Sequence, residues 1–336
     1  MSTVGIIVNP ASGKDIRRVI AAGTVVTNQE KINTVLRLLR ACDAVGVDRV
    51  LMMPDPTHIA RRAMKIAEPE LRYTAVAELE LDYMLGNWQD TLRATQRFAQ
   101  LGVNCLVVLG GDGTSRVVAK ASGDLPLLPI STGTNNAFPQ MIEGTLAGLA
   151  AAAIASGVVP ADRVCRRAPQ LELYTDDGEL LDIALADLVV LDSLDTGALA
   201  VWDSAGIRAL FLTRASPSAI GLSSIGGWLG LDACPPDHAL AVHTGAEQGR
   251  QLIAPIAPGL LAPITVNSHQ FFDKQTAQKI PLRRGVIALD GEREILISER
   301  LLNVRINPMG PRVLNVDCAL QEAATAGMLD ASRLPQ

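Results

Sequence analysis

The chain has 336 residues, of which 48% are hydrophobic, 3% aromatic and 19% charged, with a formal net charge of -5 at pH 7. That length allows about two domains and a sizeable aliphatic core. The acidic balance gives no electrostatic footprint for nucleic acid, and no stretch has the length and apolarity of a membrane span or the pattern of a secretion signal, so a cytoplasmic protein that handles small molecules is expected.

The first half alternates short apolar runs with helical patterns. Val4–Val8 reads as a strand and ends in the turn Asn9-Pro10-Ala11-Ser12-Gly13-Lys14. Arg17 and Arg18 follow Lys14 closely, a cationic cluster that suits either a polyphosphate or a solvated helix face. Helices over Gln29–Val45, Thr57–Ala67, Trp88–Leu101 and Ser115–Ala121 alternate with strands over Arg49–Met53, Tyr73–Val76, Asn104–Leu109 and Leu127–Ile130. Right-handed crossovers between such strands give a parallel sheet.

Two further strands of that series end in glycine turns. Gly110-Gly111-Asp112-Gly113-Thr114 follows the fourth, and Ser131-Thr132-Gly133-Thr134-Asn135-Asn136 follows the fifth. Without a Cβ in the way, a glycine backbone can approach a phosphate closely, and the helix beginning after the turn directs its positive end there. The same residues also suit a tight strand-to-helix turn capped by Asp or Thr. In an open parallel sheet, ligands bind beyond the carboxyl ends of the strands, where these three turns converge. The chain has no G-x-G-x-x-G, and Gly13-Lys14-Asp15 lacks the Walker spacing.

Beyond about Asp162 short strands with turn signals replace the helices: Gln170–Thr175, Leu180–Val190, Ala239–Thr244, Gln251–Ile256, Val286–Leu289, Glu294–Ile297 and Leu302–Ile306, with a hairpin at Thr175-Asp176-Asp177-Gly178. An α/β domain over 1–161 and a mostly β domain over 162–312 are expected. Five scattered cysteines without a C-x-x-C read as reduced thiols, and the four histidines lack zinc-site spacing.

The Asn-Pro-x-Ser-Gly turn, the Gly-Gly-Asp-Gly-Thr turn and the Gly-Thr-x-Asn segment, in this order, resemble the NAD kinase and diacylglycerol kinase superfamily over most of the chain. Within it the sequence is similar to the acetoin-catabolism protein X branch, an ATP-NAD kinase-like group, through Gly13–Arg18, Ser131–Phe138, Ser218–Ser223 and Ala288–Glu294. The resemblance implies that the segment from Val313 to Val316 and the helix Ala319–Met328 return to the first domain, so that 313–336 packs on it. It implies ATP with Mg²⁺ as donor and NAD as acceptor, bound between the domains. It assigns Asp112 to orient or deprotonate the attacking hydroxyl. Asn9, Ser12, Gly13, Lys14, Arg17, Arg18, Gly110, Gly111, Gly113, Thr114, Thr132, Gly133, Thr134, Asn135 and Asn136 fall to the nucleotide.

Two departures from the dinucleotide kinases stand in the second half. Ala186-Asp187 occupies the place of an Asn followed by an acid, leaving Asp187 alone to hold a ribose, and Ser216-Pro217-Ser218-Ala219-Ile220-Gly221 contains no Tyr. Asp290-Gly291-Glu292 matches the superfamily's late Asp-Gly-x segment, which counts Asp290 and Glu292 with the cofactor-binding residues; Glu292 assists the acceptor hydroxyl or metal there, or the segment is a plain turn between strands. The readings are therefore a kinase making NADP from NAD, a kinase of a lipid or polyol hydroxyl, or a nucleotide-binding regulator of acetoin metabolism. The resemblance also implies a homodimer or larger assembly, with Ile225–Gly230 as an apolar contact or a packed loop.

Overall fold

The computed structural model describes residues 1–13, 26–133, 136–193, 201, 204, 206–231, 234–235, 237–245, 248–332 and 334. The first half runs β1 (Thr3–Val8), α1 (Asn28–Val45), β2 (Arg49–Met52), α2 (Ile59–Ala67), β3 (Ala75–Glu78), α3 (Trp88–Gln100), β4 (Cys105–Gly110), α4 (Asp112–Ser122), β5 (Leu127–Ser131), α5 (Gly144–Ala155), α6 (Ala161–Val164) and β6 (Cys165–Arg167). The second continues with β7 (Gln170–Thr175), β8 (Leu180–Ala184), β9 (Asp187–Leu191), β10 (Ile207–Leu212), α7 (Ser224–Trp228), β11 (His238–Thr244), β12 (Arg250–Ala257) and β13 (Leu260–Asp273). It closes with β14 (Gln278–Lys279), β15 (Arg284–Leu289), β16 (Glu292–Ser298), β17 (Leu302–Asn307), β18 (Arg312–Leu314) and α8 (Val316–Thr325).

The first sheet has the order β3-β2-β1-β4-β5-β18-β6. Its first five strands are parallel, and β18 joins them parallel to β5 through Val313 and Leu127, so the chain does return to this sheet after the β region. Strands such as Cys105-Leu106-Val107-Val108-Leu109 are buried on both faces, as strands covered by helices on both sides must be. One face packs on α1, α2, α5 and α8, the other on Phe98 of α3 and Val118 of α4. Thr27 caps α1 by accepting from the Glu30 amide, and Gly46 ends it in the left-handed conformation. The alanine-rich α5 lies so close to α1 that a Cβ on Gly148 would stand 2.7 Å from Ala41 and 2.9 Å from the Leu38 carbonyl.

The second sheet, β12-β13-β11-β10-β9-β15-β16, is antiparallel, and one of its faces is covered by the four-stranded sheet β14-β17-β7-β8. The run Leu180–Val190 is not one strand. It breaks at Leu185-Ala186 into β8, in the small sheet, and β9, in the middle of the large one. The cause is the Asp290 carboxylate, which takes up the backbone amides of that break. The strands β10 and β13 were not expected from the sequence; β13 carries Pro263 and a polar stretch from Asn267 to Gln270 that blurs its alternation. Helix α4 begins at Asp112 rather than Ser115, because extended Gly111 takes the cap position and its carbonyl accepts from the Ser115 amide.

Ile225, Gly226 and Gly227 pack inside the second unit, with Gly227 pressed on the Ser216–Pro217 peptide, while Trp228 is 47% exposed. Cys42, Cys105 and Cys165 are buried and unpaired, whereas Cys318 is exposed. No helix among the described residues is long and apolar enough to cross a membrane.

Substituting Gly148→Val forces α1 and α5 apart. Overpacking of this kind costs about 1–3 kcal/mol, and a lowered thermal midpoint with retained helical circular dichroism is the expected outcome; an unchanged midpoint would show that the helices yield freely.

Candidate active site

The strands β1, β4 and β5 end level with one another, Val8 beside Leu109 and Leu109 beside Ile130, so their turns open onto one place. The first turn is held from several sides. Asn9 Oδ1 accepts from the Ala11 amide at 2.8 Å, and Asn9 Nδ2 donates to Thr114 Oγ1 at 2.8 Å. Ser12 Oγ donates to the Asn9 carbonyl and sits 2.8 Å from Thr132 Oγ1, joining the first turn to the third. Lys31, a fully buried residue of α1, donates from Nζ to the carbonyls of Asn9 and Ser12 at 2.8 and 3.0 Å. Gly13 is left-handed (φ 77°), and a Cβ there would stand 2.9 Å from the Thr132 carbonyl.

The glycines of the other turns make room for side chains. A Cβ on Gly110 would lie 2.5 Å from Thr114, on Gly133 2.4 Å from Asn136 Oδ1, and on Gly113 3.2 Å from Glu292 Oε2. Gly111 also faces Asn136, whose Nδ2 donates to Ser131 Oγ at 2.6 Å. Asp112 is buried in the first turn of α4, and its carboxylate accepts from the amides of Ala137 (2.9 Å) and Phe138 (2.7 Å). This fixes the carboxylate's direction without a side-chain cap.

The second unit supplies the opposite wall. Asp290, with φ 52°, accepts from the amides of Leu185 (2.9 Å) and Ala186 (2.7 Å), while the Gly291 amide donates to Asp187 Oδ1 at 3.1 Å. Burial pushes the Asp290 carboxyl up to about 6; Arg116 works against the shift, and Asp112 adds to it. Arg116, buried on α4, faces Asp182 (3.6 Å), Asp290 (3.8 Å) and Glu294. Its burial favours the neutral form, but Asp290, Glu294 and Asp182 together hold the guanidinium above its ordinary value. One turn further along α4, Lys120 pairs with Asp182 at 2.7 Å.

Between these walls lies a cleft of about 780 Å³, lined by the three turns, by Asp182, Glu292 and Glu294, and on one side by the apolar group Met53, Pro56, Met84 and Trp88. Residues 4–158 match the ATP-NAD kinase N-terminal domain, and residues 169–308 match the acetoin catabolism protein X C-terminal domain. The acetoin catabolism protein X of Cupriavidus necator is 40% identical over 301 residues, which cover 87% of this chain and 84% of that one. The chain belongs to the acetoin catabolism protein X family.

In this member of the family, the sequence-derived site residues Asn9, Ser12, Gly13, Gly111, Asp112, Gly113, Thr114, Gly133, Asn136, Asp290 and Glu292 all line the one cleft. Gly110 and Thr132 lie behind it and pair through the Thr132 amide and the Gly110 carbonyl. Asp187 is not in the lining of this cleft: it is buried, accepts from the Gly291 amide, and lines a small adjoining cavity with Asp112, Asp290, Ala137 and Gly221. Lys14, Arg17, Arg18, Thr134 and Asn135 lie outside the described residues. Sequence reasoning missed Lys31, Arg116, Lys120, Asp182, Glu294, Trp88 and Arg214. The spacing of Asp112, Arg116 and Lys120, each four residues apart, puts all three on one face of α4 and was the available signal. Among the described residues no group of three His, Cys, Asp or Glu side chains is arranged to hold a metal ion.

The Asp290 carboxyl, raised in the fold to about 6 against about 3.9 in an unfolded chain, lends stability that is complete below pH 4 and is lost as pH rises through 6. Asp290→Asn should therefore remove up to about 3 kcal/mol of the wild-type gain between pH 7 and pH 4. Chemical denaturation at both pH values measures it, and parallel wild-type and variant curves would show that the carboxyl titrates normally.

Proposed function

We propose that the chain is an ATP-dependent phosphotransferase acting on an alcohol, with the adenosine 2′-hydroxyl of NAD as the acceptor to test first. The observation that carries this reading is the convergence of three glycine turns and the start of α4 on one cleft, with the Asp112 carboxylate fixed at its floor. Backbone amides at Gly111, Gly113 and Thr114 and the positive end of α4 suit the donor phosphates. Mg²⁺ enters with ATP and neutralises phosphate charge.

In this arrangement the acceptor hydroxyl lies between Asp112 and Glu292, the latter being seated against Gly113. Its oxygen attacks the terminal phosphorus as the bond to ADP breaks, and its proton passes to a carboxylate. The transition state is loose, so alignment is the larger part of the catalysis. Trp88, 56% exposed on the apolar side, offers a ring face to the adenine base, with Lys120 Nζ 5.8 Å from its centroid.

A second reading, a kinase of a different hydroxyl, is favoured by one observation: Asp187, the residue left to hold a ribose, is absent from the cleft lining and accepts from the Gly291 amide. The name of the Cupriavidus relative points to acetoin breakdown, which makes small hydroxylated metabolites reasonable members of an acceptor panel.

Wild-type protein incubated with Mg-ATP and NAD or NADH should yield NADP(H), and Asp112→Asn should lower the rate at least about 100-fold. ADP release with a polyol and none with NAD(H) would select the second reading; no turnover with any acceptor would sink both. Trp88→Ala should weaken ATP binding about tenfold while Trp88→Phe retains it, since ring stacking contributes about 1–3 kcal/mol per base; equal affinities in both variants would remove Trp88 from the site.

A further inference from the structure

Asp112, Asp187 and Asp290 are all buried, and they come together from three elements: the first turn of α4, the start of β9 and the turn between β15 and β16. Carboxylates out of water need hydrogen bonds and a compensating charge. Arg116, from α4, is directed at Asp182, Asp290 and Glu294. Among the described residues a second cation at this place is Arg214, two residues beyond the end of β10.

Thr213 anchors it. The Thr213 amide donates to the Ala186 carbonyl at 3.0 Å and Thr213 Oγ1 to the Leu185 carbonyl at 2.7 Å, which fixes the chain beside the turn that Asp290 holds. From there the Arg214 side chain crosses to the first unit. Its Nη1 donates to the Ala137 carbonyl, and its guanidinium carbon lies 5.7 Å from the centroid of the Phe138 ring. Ala137 and Phe138 are the two residues whose amides hold Asp112. A single short segment thus receives Arg214 on its carbonyl side and Asp112 on its amide side.

We propose that Arg214 is a positioning residue of this site, clamping the Ala137–Phe138 segment that aims the Asp112 carboxylate and supplying the charge that makes the buried Asp112, Asp187 and Asp290 tolerable together. The balance on the guanidinium agrees: burial pulls it below its ordinary value, while Asp112, Asp290 and Asp187 pull the other way. The catalytic part of the inference rests on the phosphotransferase reading; the electrostatic part does not.

Arg214→Met and Arg214→Lys are to be melted between pH 5 and pH 8, alone and combined with Asp112→Asn. Loss of the arginine raises the folded-state pKa values of the buried carboxyls facing it, Asp290 already standing above its unfolded value, so protons bind the folded chain more strongly than in the wild type and more stability is lost as pH rises. Arg214→Met should accordingly melt about 5 °C or more below wild type at pH 8, with the gap narrowing toward pH 5. Arg214→Lys should recover most of it, and Asp112→Asn should shrink it at pH 8. If Arg214→Met yields no folded protein at pH 8, adding Asp112→Asn should restore it. A gap that is independent of pH, equal for Met and Lys, or untouched by Asp112→Asn overturns the proposal and leaves Arg214 a packing residue, as does failure of Asp112→Asn to rescue folding. In the transfer assay, Arg214→Met should lower kcat at least tenfold with the KM for ATP within about twofold; a KM effect alone overturns the positioning role. A wild type without transfer activity removes the phosphotransferase reading, and the melts still decide the electrostatic one.

Discussion

Carboxylates that face backbone amides in place of water are the constraint on which this architecture depends. Asp112 ties the start of α4 to the segment after β5, Asp290 ties the β15–β16 turn to the β8–β9 break, and Asp187 accepts from the Gly291 amide. Each bond replaces hydration lost on burial, and together they fix the segments that face the cleft. Arg116 then links α4 to β8, to the β15–β16 turn and to β16 across the boundary between the two sheets. Each sheet has its own apolar core, so the two units hold their shapes separately. The charges between them determine how accurately the walls of the cleft are placed, because a carboxylate moved away from its donors in a low-dielectric interior loses far more than one at the surface.

The glycines of the turns acquire a second meaning in this setting. A bare glycine turn suggests backbone approaching a phosphate, yet Gly110 lies under Thr114, Gly113 under Glu292 and Gly133 under Asn136. Removing Cβ at these positions lets polar side chains from neighbouring turns close on the backbone. Asn9 and Ser12 complete the arrangement by bonding to Thr114 and Thr132, and Lys31 neutralises the inward-facing carbonyls from behind. The described residues of the turns are therefore tied to one another before any ligand arrives, which lowers the ordering cost of binding.

Much of this was legible in the sequence where a local rule applies. The parallel strands β1, β4 and β5 are apolar runs of ordinary length that end at Asn, Gly or Ser, and the helices between the strands carry caps such as Thr27 and Asn87. The three turns are recognisable as residues, and their meeting follows from the parallel order. What was not legible depends on contacts between distant segments. Leu180–Val190 looks continuous until the Asp290 carboxylate, more than a hundred residues later, takes the amides of Leu185 and Ala186. Lys31 and Arg214 read as ordinary polar positions because nothing beside them in the chain signals burial. Trp88, at the first position of α3, gains its place in the cleft only when α3 is set beside α4.

The division of the cleft between the units bears on what it accepts. The glycine turns belong to the first sheet, whereas Glu292 and Glu294 come from the second and Asp182 from the small sheet that covers it. Arg116 and Lys120 are set against Asp182, Asp290 and Glu294, and Glu292 stands against Gly113, so among the described residues the carboxylates of that wall outnumber its cations. On the phosphotransferase reading, phosphates lying along it would meet like charge at short range, while hydroxyl groups would find acceptors. The departures from the dinucleotide kinases, Ala186 and the segment from Ser216 without a tyrosine, also fall in the second unit. On that reading, donor binding and acceptor choice are separate properties of the two units, and an acceptor that carries phosphates of its own fits only if they turn toward the amides of the first.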